Sequence, residues 1–543
     1  MKPNILILTL DAFRRDRTSL HGYSKPTTPN LERLVERAVV CENASALSSW
    51  TQPSLLTAFT SSRPFDCGGF DDGVKGRRSL FDELASWGYK TIGISTTPWV
   101  TGFFGYKFQI EERHFSLNAL LGCYTAQMSS YLERWHCGKV DADETFKTLK
   151  PIMSRLSLAV SRFMRARGDR NYLASLVDQI LHAHMRDFYN RGPDYLREHL
   201  ANRPVPKSHE WLGAKWKWAR SPLWLAREAA KRLSDSVVGL ISPSAAILRR
   251  YRNKRFMDGS ALASRIIAHA ASADEPWCIW AHFHDTHYPY LAGAGPRWYR
   301  DSRYYIARTG GTARPENVFD EPGLARSELY DAAMLYTDEQ IGRVVRAVGD
   351  RAIIAIAADH GEELGDHGDW GHHFRLYEHN VAVPMMFAGP GVRKTRVAGL
   401  TTLLDFAPTI AEMCGAKPDF MWRGLPVTHS DIAKRDHVIL ETVYGGTCDL
   451  RIRPPYVAVR TKDSKFLWKE HRDAKDRFVC RGDELYRLDS DPGEHTNWKN
   501  ASPYGLPPKM YWYLDKIRDR LREVPEFSKD RLLDAFPAQE AAQ

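Results

Sequence analysis

Residues 4–10 (NILILTL) form a continuous apolar run that stops at Asp11. A parallel strand covered by helices on both faces reads this way, because neither face meets water. A carboxylate at a strand's carboxyl end lies where open α/β sheets place ligands. TTPNLERLVERAVV (27–40) carries apolar residues at helical spacing behind a capping Thr. SWTQPSLLTAFTSS (49–62) predicts a turn and then a helix, with Pro53 near its start. RRSLFDELASWGYKTIGIST (77–96) reads as helix, Gly cap and strand. After a long irregular stretch the same alternation returns. WCIWAHFHDTHYPY (277–290) begins as a strand, 326–349 is a helix, and AIIAIAADH (352–360) is a strand. VAVPMMFAGPG (381–391) predicts another strand and GLTTLLDFAPTIAEMCG (399–415) a helix. Strands alternating with helices predict an α/β fold with a mostly parallel central sheet flanked by helices.

Two regions depart from that rhythm. The stretch 97–270 is rich in helical patterns such as NYLASLVDQILHAHMRDFYN and reads as a largely helical insertion. From 436 onward short strands and turns dominate (DHVILETVYG, PPYVAVRTKDSKFLWKE, DELYRLDSDPGEHTN), with a closing helix at 508–522. The expected organisation is a main α/β domain over 1–435, containing the insertion, and a smaller α+β subdomain over 436–543.

Composition narrows the classes. No run of about 18 apolar residues exists, so no spanning helix is expected. The first strand is too short and wrongly flanked for a signal peptide, which makes a cytoplasmic location the expectation. Eight scattered cysteines without a CxxC pair fit reduced thiols. The net charge of +10 is concentrated: residues 121–260 hold 25 Lys and Arg against 13 Asp and Glu. The plain reading is a solvated helical face. The sharper one is a cover over an anionic substrate, with KWKWAR (215–220) suited to a membrane surface. No nucleic-acid motif accompanies the charge, so no nucleic-acid partner is expected.

Four segments end strands, or start the following helix, with ligand-type residues: Asp11, Thr51, His284-Asp285-Thr286-His287 and Asp359-His360. In a doubly wound sheet such ends converge on one crevice. Two carboxylates and an imidazole suit a divalent cation, and a hydroxyl beside that cation becomes a nucleophile near neutral pH. His360, His367, His372, His373 and His379 fall within twenty residues, enough for an acid or a substrate clamp. Each residue also has a plainer role. An Asp at a strand end often caps a turn, and Thr51 could be a helix N-cap. Glu362 and Glu363 read as solvated or capping residues, and His367 as a loop histidine. Arg14 and Arg15 fit an anionic substrate or a surface ion pair equally.

The segments NILILTLDAFRRDR, TTPNLERL, SSWTQPSLLTAFTSSRP, HDTHYPY, AADHGEELGDHGDWGHHFRLYEHNVAVPMMFAGPG and ELYRLDSDPGEHTN together resemble the sulfatase family of the alkaline phosphatase superfamily. The resemblance covers most of the chain outside 97–270. It implies a sheet-centred α/β domain with a smaller C-terminal domain. It also implies one divalent ion (Mg, Mn, Ca or Zn) on Asp11, Thr51, Asp359 and His360. The attacking residue should open the motif C/S-x-P-S-R, which here reads Thr51-Gln52-Pro53-Ser54-Leu55. Thr cannot mature to the family's formylglycine, and Leu55 replaces its Arg. Ala12 follows Asp11 where the family often has a second Asp. By the same resemblance His287 contacts the ester or its leaving group, and His372 or His373 stands near the family's Lys. Arg14, His373 and Asp285 complete the expected substrate contacts.

Because Thr replaces the formylglycine precursor, the expected reaction is cleavage of a phosphate-type ester through a covalent Thr51 intermediate. A sulfatase without formylglycine is the alternative, and a non-catalytic glycan- or lipid-binding protein the second. The expected partner is an anionic ester, glycan- or lipid-linked, with peripheral membrane contact through the basic insertion.

Overall fold

The computed structural model describes residues 2–113, 135, 140–150, 189–200, 257–273, 276–288, 290, 292, 298–313, 322–372, 375–416, 422–443, 455–472, 478–498 and 508–524. His373, the KWKWAR segment and most of the basic insertion lie outside them. The chain divides into two compact units. One comprises Met1–His114, Phe256–Tyr444 and Pro454–Gln543; the other comprises Phe115–Arg255 with Gly445–Arg453.

The first unit is built on an eight-stranded sheet. Its strands are β1 (Asn4–Leu10), β2 (Ala38–Ser45), β3 (Lys90–Ser95), β4 (Ile110–Arg113), β5 (Trp277–Phe283) and β6 (Ala352–Ala358). A two-residue ladder, β7 (Glu363–Leu364) with β8 (Trp370–Gly371), intervenes before β9 (Met385–Ala388) and β10 (Thr395–Thr402) complete the sheet. The strand order is β10-β2-β9-β6-β1-β5-β3-β4. All pairs are parallel except the two made by β9. The fold is thus α/β around a mostly parallel sheet, as the alternation predicts. β1, β5 and β6 are buried at every residue, which explains their unbroken apolar sequences.

Helices flank the sheet. They are α1 (Pro29–Leu34), α2 (Thr51–Thr60) and α3 (Leu80–Ser86), followed after the insertion by α4 (Gly259–Ser272), α5 (Trp298–Arg308) and α6 (Pro322–Val348). The short α7 (Glu378–Val381) and α8 (Phe406–Met413) follow. α4 packs on β5 and on α6, while α2 packs on α8 and on the turn before it.

Two expected helices are shorter than read. The pattern over 27–40 is helical only to Arg37, because Ala38, Val39 and Val40 open β2. The pattern over 399–415 starts inside β10 and turns helical at Leu403. In both places an apolar run crosses from one element into the next, and period alone does not mark the boundary.

The second sheet is antiparallel, in the order β11 (Val438–Val443), β12 (Pro455–Arg460), β13 (Ser464–Arg472), β14 (Phe478–Arg487). The helix α9 (Pro508–Arg522) packs on β12. This sheet belongs to the same compact unit as the first. Leu376, Tyr377 and Val381 share a core with Val438, Leu440, Tyr456, Ala458 and Leu467. The His-rich loop is therefore anchored on the second sheet.

The second compact unit is Phe115–Arg255 with Gly445–Arg453. Among its described residues, Arg197 reaches Asp143 at 2.8 Å and Asp194 at 2.7 Å. Among the described residues no helix is long and apolar enough to cross a membrane.

Candidate metal and ester site

The register of the central strands builds the site. Leu10 of β1 pairs with Phe283 of β5 on one side and Ala358 of β6 on the other. The next residue on each strand is Asp11, His284 or Asp359, so the three leave the sheet side by side. Backbone bonds fix them: Asp11 N–H donates to the Phe283 carbonyl (2.9 Å) and Asp359 N–H to the Leu10 carbonyl (3.0 Å). His282, two residues before His284, falls on the same face by strand alternation.

The side chains then converge. Asp11 Oδ2 lies 3.4 Å from His282 Nε2 and 3.2 Å from His284 Nε2, while Asp11 Oδ1 lies 3.5 Å from His360 Nε2. Asp359 Oδ2 is 3.6 Å from His360 Nε2 and 3.8 Å from His282 Nε2. Asp359 Oδ1 accepts from the backbone N–H groups of Ala12 (3.1 Å) and His360 (2.7 Å). Ala12 holds a left-handed backbone (φ 53°), a conformation disfavoured for a residue with a Cβ. Gly361 is required by its neighbour, since a Cβ there would collide with the His379 carbonyl oxygen.

Thr51 is the first residue of α2 and is nearly buried. Trp50 occupies the N-cap position without a side-chain cap bond, so Thr51 is not the cap. Its hydroxyl lies 3.3 Å from His360 Nε2. His360 Nδ1 donates to the Gly361 carbonyl at 2.7 Å, which leaves Nε2 as an acceptor and makes Thr51 the donor. The helix start adds a favourable dipole for anions.

The electrostatics of these groups favour a positive charge among them. Burial and the adjacent Asp11 push the Asp359 carboxyl well above its ordinary range. Burial also opposes the Asp11 charge, but the surrounding imidazoles, His287 and His284 first, hold it well below. Burial, followed by the neighbouring His282, takes His284 down to about 3, and burial takes His360 well below its usual value. Asp11 Oδ1, Asp359 Oδ2 and His282 Nε2 are buried without a hydrogen-bond partner. Orphaned carboxylate oxygens facing imidazole lone pairs are costly unless a cation sits among them. Asp11, Asp359 and His360 offer donor atoms within 4.8 Å of one another, and so do Asp11, His282 and His284. The donor set fits a divalent cation.

A second group of residues stands at the edge of this cluster. The His372 ring lies 4.4 Å from that of His360 and 5.1 Å from that of His287. His372 Nδ1 bonds Glu362 Oε2 at 2.7 Å, and Glu362 Oε1 accepts from the Tyr290 hydroxyl at 2.9 Å. Burial alone would lower His372, but the Glu362 charge and hydrogen bond outweigh it and raise the imidazole above its ordinary value.

Several expected roles change. Arg14 does not face a substrate. It is buried, and its guanidinium is held by Asp16 (2.6 and 2.9 Å), Asp366 (2.7 and 3.2 Å) and the Glu362 carbonyl (3.0 Å). Asp285 is a buried carboxyl that accepts from Gly259 N–H at 3.0 Å, at the start of α4. Burial first raises it to about 7. It ties the turn after β5 to the start of α4. Glu362 and Glu363 are fully buried, not solvated. Glu363 accepts from Asn380 at 2.9 Å and pairs with His379 at 3.5 Å. His367 does pack, stacked on Tyr377 at 3.9 Å.

The geometry defines an α/β protein with a carboxylate–imidazole cation cluster at the carboxyl edge of its sheet and a hydroxyl at a helix start beside it. The chain belongs to the sulfatase family, whose family model matches residues 3–189 and 214–416. It is 26% identical over 252 residues to a choline-sulfatase of Rhizobium meliloti (strain 1021), a match covering 41% of this chain and 46% of that protein. The chain thus spans about half the length, or less, of the first curated relatives it matches. Its fold is similar to that of a 2-O GAG sulfatase (TM-score 0.53, 15% identity, 96% of this chain and 92% of the other). It is equally similar to the phosphonate monoester hydrolase of Agrobacterium radiobacter (TM-score 0.53, 17% identity, 96% and 95%).

Proposed function

We propose that this chain hydrolyses an anionic ester of the sulfate type, carried on a glycan or similar polar alcohol. The observation that carries this is Thr51 Oγ1, 3.3 Å from His360 Nε2 at the start of α2, beside the Asp11–Asp359 pair. Family membership and the sulfatase relatives support sulfate over the phosphate-type ester that the sequence reading ranked first. A phosphate or phosphonate ester is the second reading, because Thr51 carries a plain hydroxyl and cannot form an aldehyde hydrate.

Asp11, Asp359, His360 and Thr51 would hold a divalent ion. When bound, it lowers the pKa of a neighbouring hydroxyl and offsets charge on the transferring group. The Thr51 hydroxyl gives up its proton to solvent, its oxygen attacks the sulfur or phosphorus, and the bond to the leaving alcohol oxygen breaks. His372 or His287 gives that oxygen its proton. Water then cleaves the Thr51 ester and releases the inorganic anion. Arg14, held between Asp16 and Asp366, keeps the loop from Glu362 to Asp366 against β1 rather than touching the ester.

Aryl sulfate, phosphate monoester, phosphodiester and phosphonate substrates, offered to protein reconstituted with Ca²⁺, Mg²⁺, Mn²⁺ or Zn²⁺, test the reading. Sulfate should be preferred in kcat/KM. A preference for phosphodiester or phosphonate would move the proposal to the second reading, and no turnover of any ester would remove it.

Two variants follow from the same geometry. Asp359→Asn and His360→Ala should each lower bound metal and turnover together, by at least tenfold in metal affinity. Full occupancy of both variants by elemental analysis would mean the ion lies elsewhere. Glu362→Gln removes the charge that raises His372 above its ordinary value. The alkaline limb of kcat for esters with poor leaving groups should then move down by about one pH unit or more. An unmoved limb in the pH–rate profile would exclude His372 as the acid.

A further inference from the structure

The Asp11–Asp359–His360–Thr51 set leaves two buried imidazoles on β5 and the turn after it without a role. His282 and His284 are each almost fully buried. Their rings meet edge to face with centroids 4.5 Å apart, and both Nε2 atoms point to the same oxygen, Asp11 Oδ2. Each ring is held from behind by a threonine hydroxyl: Thr9 Oγ1 lies 2.8 Å from His282 Nδ1, and Thr96 Oγ1 lies 2.9 Å from His284 Nδ1. Thr9 is itself fixed by the Trp280 indole N–H at 3.0 Å. A hydrogen bond to Nδ1 that aims Nε2 forward is the support that metal-ligating histidines require.

We propose that Asp11, His282 and His284 form a second divalent-cation site, beside the ion assigned to Asp11, Thr51, Asp359 and His360. The proposal rests on that first assignment, with which it shares Asp11. The spacing fits. Bonds of about 2.0–2.1 Å in tetrahedral geometry separate neighbouring ligand atoms by about 3.3–3.4 Å. The carboxylate-to-imidazole distances here are 3.4 and 3.2 Å. Two nitrogens and one oxygen are borderline donors that suit Zn²⁺, Co²⁺ or Ni²⁺ over the hard cations Ca²⁺ and Mg²⁺. The first set is richer in oxygen, so the two sites differ in preference. Three protein ligands leave a tetrahedral ion with an open position, as in catalytic zinc sites. Two cations sharing one carboxylate can contact both the attacking and the leaving oxygen of an in-line displacement. The family resemblance implies one ion; histidines spaced two apart at the end of β5 supply the imidazoles for a second.

The plain competitor is a proton, with His284 donating to Asp11 and no ion present. Metal counting separates the two. Metal-free protein is loaded with Zn²⁺ alone and then with Zn²⁺ plus Ca²⁺, desalted, and analysed for metal per chain. Crystals of the Zn²⁺-loaded wild type are measured at the zinc absorption edge. Two ions per chain are expected in wild type, with one anomalous peak between Asp11, His282 and His284. His284→Gln should retain one ion and bind Zn²⁺ at the second site at least tenfold more weakly. His360→Ala should lose the other ion and keep this one. One ion per chain in wild type, lost in His360→Ala and kept in His284→Gln, would overturn the second site and leave the proposed function standing. No ion at all would overturn both. If His284→Gln does not fold, the wild-type anomalous peak, present or absent, still gives the answer.

Discussion

Thr51→Ala is expected to remove turnover by a factor on the order of 10⁴ or more, the scale seen when a hydrolase loses its nucleophile. Folding should barely change. Thr51 does not cap α2, because Trp50 stands at the N-cap. Its hydroxyl bonds His360 Nε2 at 3.3 Å. A net loss of about 1 kcal/mol is the most such a bond supplies, and Ala is the better helix former. Thr51→Ser keeps the hydroxyl at the same helix start and should keep measurable turnover. The check is kcat on the preferred aryl ester beside urea unfolding of each variant. Turnover of Thr51→Ala within tenfold of wild type would take Thr51 out of the nucleophile role. A loss of several kcal/mol in stability would instead give it a structural role.

Much of the site is legible in the sequence because the strands that carry it are buried on both faces. NILILTL and AIIAIAA carry no charged residue before Asp11 and Asp359, so the first carboxylate marks the end of each strand. Thr51 is equally legible, from a turn followed by Gln-Pro and an apolar helix. His284 stands in one of the four ligand-type segments, whereas His282 escapes notice for a definable reason. His282 sits inside an apolar strand, where a single histidine reads as part of the core. Only their spacing of two, at the carboxyl end of a strand beside β1, signals a shared face.

The roles of Arg14, Asp285, Glu362 and Glu363 were not legible because each depends on partners remote in sequence. Arg14 meets Asp366, 352 positions away, and Glu362 meets Tyr290, 72 positions away. Charge alone says that such residues need a partner or water. It does not say which, and burial is decided by the tertiary packing of loops. The boundary errors at β2 and β10 have the same origin. An apolar residue fits the end of a helix and the start of a buried strand equally well.

Glu378→Gln should destabilise the first unit by about 3 kcal/mol or more, the scale of breaking a buried ion pair. Glu378 receives Arg460 through two nitrogens, at 3.1 and 3.2 Å, and Lys465 at 3.1 Å. Lys465 is fully buried and also pairs with Glu494 at 2.6 Å. The cluster joins α7 to β12, β13 and the segment after β14, and so holds the His-rich loop on the second sheet. Burial works against the Glu378 charge, but Arg460 and then Lys465 hold its carboxyl well below the ordinary range. A carboxyl depressed in the folded state adds stability above its unfolded pKa and loses it as pH falls toward the folded value. Glu494 behaves oppositely: burial, with the Glu378 charge added, raises it to about 7 although Lys465 pulls it down. Its ionisation therefore costs stability, and that cost grows as pH rises from about 4.3, the usual Glu value, to about 7. In Glu378→Gln the repulsion on Glu494 disappears, so Glu494 should ionise at lower pH and replace part of the lost charge. The stability loss should accordingly be smaller at pH 8 than in the double variant Glu378→Gln, Glu494→Gln, where Arg460 and Lys465 are left without a carboxylate in this cluster. Urea unfolding of the three proteins at pH 5 and pH 8 measures this. Equal stability of the single and double variants at pH 8 would mean that Glu494 does not share the charge of the cluster.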